Sequence, residues 1–117
     1  MPELRKEGRA MIYNFPKYIY SDPVSESDIR LQHGKCYEEL NEIFYALVRD
    51  EESPERVMEE TLDLLHCVET LTRLLQDKYG ITRNHLNLMH IRIMEKNDER
   101  GYYGENWNED GAYDVGF

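Results

Sequence analysis

Residues 53–80 constrain the fold more than any other stretch, because a long amphipathic helix is written into them with both ends marked. Ser53 can cap the first turn, Pro54 suits the first helical position, and Glu55 favours the positive end of the helix dipole. Val57, Thr61, Leu64, Val68, Leu71 and Leu75 follow at alternating spacings of four and three, and Gly80 stands where a left-handed C-cap belongs. The pattern predicts a helix from about Pro54 to Tyr79. Met58, Leu62 and Leu65 make a second apolar stripe beside the first, so one neighbouring helix cannot cover the whole face.

Upstream, Ser25 or Ser27 can cap a first helix reaching about Asp50, with Leu40, Ile43, Phe44 and Leu47 as its apolar stripe and Gly34 as a local weak point. Asp50-Glu51-Glu52-Ser53-Pro54 between the two is a short connection, which implies antiparallel neighbours. Both helices rise about 1.5 Å per residue. Positions whose numbers add up to about 102 or 103 therefore lie at one height.

That register gives meaning to two acidic phrases, Glu38-Glu39-Leu40-Asn41-Glu42 and Glu59-Glu60-Thr61-Leu62-Asp63. Residues three apart share a helix face, so Glu39 pairs with Glu42, and Glu60 with Asp63. Like charges this close are unfavourable unless a cation joins them. Across the hairpin, Glu42 comes to the level of Glu60 and Glu39 to that of Asp63. Four carboxylates at two matched levels make an oxygen-rich box suited to Mg²⁺ or Mn²⁺.

Composition sets the outer limits. The 117 residues suffice for one small domain with a modest core. A formal net charge of -10 argues against nucleic-acid binding, for which a basic surface supplies most of the affinity. The longest apolar run, Ile43 to Val48, is too short for a membrane span, and a cytoplasmic protein is expected. Two cysteines are no disulfide framework. Cys36 and Cys67 share a height in the hairpin, which predicts a pair of buried reduced thiols, with a redox switch as the lesser alternative.

Pro16 and Pro23 interrupt the Tyr-rich stretch of residues 1–24, which is expected to form a loosely packed N-terminal arm, with a short helix possible at Pro2–Lys6. Thr82 can cap a third helix that ends near Arg100, with Gly101 just beyond. Leu86, Leu88, Ile91 and Ile93 partly alternate, as a strand would, but caps and length favour helix. Arg92, Lys96 and Arg100 form a cationic stripe along it, which pairing with Glu95 and Glu99 would equally explain. Residues 102–117 form an aromatic, acidic tail that is expected to be flexible. The predicted architecture is all-α: a hairpin plus a third helix over residues 25–101, forming a four-helix-bundle-like core completed by dimerisation.

The phrases EELNE and EETLD, in this order and at this spacing, resemble the paired EExxE and EExxD motifs of MazG-like nucleoside triphosphate pyrophosphohydrolases. Lys96-Asn97-Asp98-Glu99-Arg100-Gly101-Tyr102 is similar to the basic segment that follows them, particularly in short phage-type members. The resemblance covers roughly residues 28 to 103; the segment before EELNE is shorter than in longer members, and their aromatic base-holding box is not recognisable. It implies hydrolysis of a nucleoside triphosphate, ribo- or deoxyribo-, to the monophosphate and pyrophosphate, in a dimer or tetramer. Glu39, Glu42, Glu60 and Asp63 would bind Mg²⁺, Lys96 and Arg100 would contact phosphate, and Asn97 phosphate or nucleotide. Glu38 is the candidate base beside Glu39, unless it, like Glu59, is a solvated acid.

Two rival readings stand beside this one. Asp63 and His66 have the Asp-x-x-His spacing of half a ferritin-like di-iron site, although the chain lacks the second half. The acids can also belong to a non-catalytic helical module that binds a partner protein, in which case they would be spread along exposed faces rather than gathered.

Overall fold

The computed structural model describes residues 20–49 and 53–110. Among them three α-helices follow in order: α1, Glu26–Val48; α2, Pro54–Tyr79; and α3, Arg83–Glu99; a short 3₁₀ helix, η1, spans Trp107–Asp110. No strand occurs among the described residues, so the all-α expectation holds at that level. No described helix is long and apolar enough to cross a membrane. Residues 20–81, carrying α1 and α2, form one compact unit, and α3 and η1 belong to another. Most of the expected N-terminal arm, the turn at 50–52 and the end of the tail at 111–117 lie outside the described residues.

Helix ends follow the local chemistry. The Ser25 hydroxyl accepts the Asp28 N–H at 3.1 Å while the Asp28 carboxylate accepts the Ser25 N–H at 2.8 Å, a complete capping box. Ser21 also donates to that carboxylate. These bonds to the ionised form, with Ser21 foremost, hold the Asp28 carboxyl below its ordinary range. The Ser53 hydroxyl accepts the Arg56 N–H at 3.1 Å, and α2 ends at Gly80 with φ 64°, where the left-handed turn favours glycine. Thr82 caps α3 in the same way through the His85 N–H. Before α1, Val24 is buried and the Tyr20 hydroxyl donates to Asp77 on α2 at 2.7 Å, so the described end of the arm is pinned to the hairpin. In the described part of the tail the Asn97 amide donates to the Tyr103 hydroxyl at 3.1 Å, and the Tyr103 ring lies 5.0 Å from that of Trp107.

Packing within the hairpin differs from the apolar-stripe prediction. On α1 the less exposed positions include Gln32, Cys36, Glu39, Ile43 and Ala46, and on α2 the buried ones are Glu60, Cys67, Thr70 and Leu74. The first set recurs at three- and four-residue spacing and the second at steps of seven, three and four, so each forms one strip along its helix. Leu40, Phe44 and Leu47, predicted to be core, are instead 54%, 58% and 64% exposed. The physical reason is that two helices cover only one narrow strip of each other, so apolar residues off that strip stay exposed. The wide apolar faces are left at the side, with Met58, Leu65 and Val68 of α2 also exposed.

Candidate metal centre

A polar seam between two helices needs its polar groups satisfied. At one level the Gln32 amide donates to the Cys67 carbonyl at 3.0 Å in a buried bond that ties α1 to α2. Next along the hairpin come the two thiols, both free, with Cys67 buried and Cys36 half-buried. Burial pushes both thiols up first; after it, Cys36 acts on Cys67, and Glu39 acts on both. The thiol pair and the acids are therefore adjacent layers of one seam, as the shared heights of 36 with 67 and 39 with 63 require.

One helical turn further, Glu39, Glu60 and Asp63 bring a carboxylate oxygen each to within 4.8 Å of one another. Glu60 is buried, Glu39 half-buried and Asp63 exposed, so the cluster opens from the seam toward solvent. Burial pushes the Glu39 carboxyl up, and the charges of Asp63 and Glu60 push the same way, as does that of Glu42, while Lys35 opposes them. Carboxylates this close repel one another, and Glu39 is the one that shows it. Glu60 has a close cation: Arg56 Nη2 lies 2.9 Å from its Oε1.

The predicted site residues thus divide. Glu39, Glu60 and Asp63 are brought together. Glu42 is exposed and outside the trio, although its charge still reaches Glu39. Three residues on from Glu39 a side chain is turned by about 60°, and the strip continues through Ile43, leaving Glu42 at the rim. Glu38 and Glu59 are exposed. His66 is not a member of the cluster, which leaves the ferritin-like reading without its histidine ligand. Lys96 and Asn97 lie on α3 and Arg100 is its C-cap, in the other unit. Arg56, Lys35 and Gln32 were not singled out by sequence; the signal for the first two is a cation four residues before a motif acid, in Lys35-x-x-x-Glu39 and Arg56-x-x-x-Glu60.

Three carboxylates from two helices are a hard oxygen donor set that fits Mg²⁺ or Mn²⁺. The raised Glu39 predicts how pH and cations act on stability. Its folded pKa lies above its unfolded one, so ionised Glu39 costs stability at neutral pH, and that cost is relieved as pH falls through the folded value. A divalent ion gives the same relief without a proton. Manganese, if held there, is therefore expected to raise the melting temperature most near neutrality and progressively less as pH falls through the raised Glu39 value. The difference between wild type and Glu39→Gln, measured in EDTA, isolates this group from Asp28, whose contribution has the opposite sign and is lost only as pH falls through its lowered value. A manganese shift of equal size at both ends of the range would contradict the assignment.

No protein-family model, curated protein or solved structure matches the chain.

Proposed function

We propose that this protein hydrolyses a nucleoside triphosphate to the monophosphate and pyrophosphate at a divalent-ion site formed by Glu39, Glu60 and Asp63. The convergence of those three side chains from two helices carries the reading. The EELNE and EETLD phrases that supply them, and their resemblance to MazG-like pyrophosphohydrolases, give it its substrate. A bound Mg²⁺ would supply Lewis-acid neutralisation of phosphate charge. The protein's own part is to hold its carboxylates in a fixed frame, so that they need little reorganisation as charge develops. Glu42, at the rim, adds negative field to the site through its effect on Glu39. Glu38, exposed and next to Glu39 in the chain, is the proposed acceptor of the proton of the attacking water, which adds its oxygen to the α-phosphorus as the pyrophosphate oxygen leaves.

The exposed stripe of Leu40, Phe44 and Leu47 belongs to the same proposal: a second copy covers it, giving a homodimer or tetramer with a four-helix-bundle-like core.

The direct test is a panel of ribo- and deoxyribonucleoside triphosphates with Mg²⁺, scored for pyrophosphate and monophosphate. Release of pyrophosphate in equal amount to monophosphate is expected for at least one base, with none in EDTA. Orthophosphate and diphosphate as products, or no turnover across the whole panel, would leave the acids to a non-catalytic binding module.

A further inference from the structure

Arg56 stands out once the acid cluster is in place. An arginine placed four residues before a glutamate is the weaker orientation of a helical ion pair, since glutamate first is the better order. Arg73 and Glu69 show that better order at the same 2.9 Å on the same helix. The Arg56 pair differs in what surrounds it: the Glu60 side chain is 9% exposed and shares its space with Glu39 and Asp63, whereas the Arg56 side chain is 52% exposed. One partner is fixed in the seam, and the other is a long, half-solvated arm free to turn about its own stem. The guanidinium sits against an oxygen of the carboxylate that a divalent ion would need.

We propose that Arg56 is a resident counter-cation of the acid cluster that yields Glu60 to a divalent ion and then contacts the phosphate oxygens brought in with that ion. The inference rests on the metal-site reading and adds to it a residue with two successive partners. Geometry supports both halves. A cation on Glu60 and the Arg56 guanidinium compete for one carboxylate edge, so one must move aside. The Arg56 side chain, 52% exposed with its charged end 2.9 Å from Glu60, has room to turn toward a phosphate brought in on the solvent side of the ion. The planar guanidinium offers paired donors to phosphate, which a lysine ammonium cannot match. Lys35 is placed in the same way on α1, four residues before Glu39, and lowers that carboxyl's pKa, so both helices carry a cation beside the site.

Competition and contact predict effects of opposite sign, which a merely structural role for Arg56 would not produce. Manganese binding, followed by its paramagnetic resonance signal, is expected to be about 2- to 10-fold tighter in Arg56→Gln than in wild type. Inorganic pyrophosphate binding to the manganese-loaded protein, by calorimetry, is expected to be roughly tenfold weaker. Arg56→Lys, which keeps the charge but loses the fork, is expected to bind manganese like wild type and pyrophosphate at an intermediate strength. Circular dichroism establishes that the variants keep their helices. If Arg56→Gln binds manganese no more tightly, or binds pyrophosphate as well as wild type, the proposal is overturned. If wild type binds no manganese at all, the metal-site reading itself fails and takes this inference with it, a result distinct from the first because it appears without any variant.

Discussion

Replacing Glu60 by Gln is expected to lower magnesium-dependent pyrophosphate release by at least about a hundredfold, while the helices stay formed. Gln matches Glu in size and fits the same buried place in the seam, but it removes one of the three carboxylates of the proposed centre. It also removes one member of a mutually repelling trio, so the stability of the protein in EDTA is expected to hold or rise. Arg56 loses its partner at little cost, because its half-exposed guanidinium is readily hydrated. The signature is therefore a loss of activity and of manganese affinity without a loss of melting temperature. Glu42→Gln gives the contrast: from the rim it should reduce activity by no more than about tenfold. Full activity in Glu60→Gln would falsify the proposed centre. A fall in melting temperature with activity preserved would mark Glu60 as a packing residue whose charge merely pairs with Arg56.

Much of this arrangement could be read from residues. Ser53 with Pro54, Gly80, Ser25 and Thr82 define helix ends because capping is local chemistry, satisfied within one turn. The level of Cys36 with Cys67, and of Glu39 with Asp63, follows from the rise per residue once the connection is short. The face of α1 that meets α2 was not legible in the same way. Leu40, Phe44 and Leu47 repeat with the helical period, but so do Gln32, Cys36, Glu39, Ile43 and Ala46. Periodicity cannot rank two strips on one helix, and hydrophobicity selects the wrong strip for the pairing with α2. The facing strip mixes small residues, Cys36 and Ala46 on one helix and Cys67 and Thr70 on the other, with the larger Gln32, Ile43 and Leu74, so it is a property of both helices together. Glu42 left the trio for the same reason, since its place depends on which strip faces the partner. Arg56 was hidden because a cation four residues from an acid is commonplace in a chain rich in charge, and it acquires significance only when that acid is seen to be buried.

The two apolar strips also predict two different kinds of stability. Leu74 is 2% exposed in the hairpin seam, and Leu74→Ala is expected to cost about 2–4 kcal/mol, a large share of what a small domain possesses. Its effect should be the same at every protein concentration, because the seam lies within one chain. Leu40 and Phe44, more than half exposed, have few partners to lose within their own chain, and replacing both by Ser should leave the intrinsic hairpin nearly as stable. If a second copy covers that stripe, the melting temperature of wild type rises with concentration, and the double variant abolishes this dependence while becoming monomeric by light scattering. The pair of experiments separates the strips cleanly. A concentration-independent wild type that scatters as a monomer at micromolar levels removes the homodimer, whereas a Leu74→Ala protein as stable as wild type removes the seam, and with it the frame that holds Glu39 opposite Asp63.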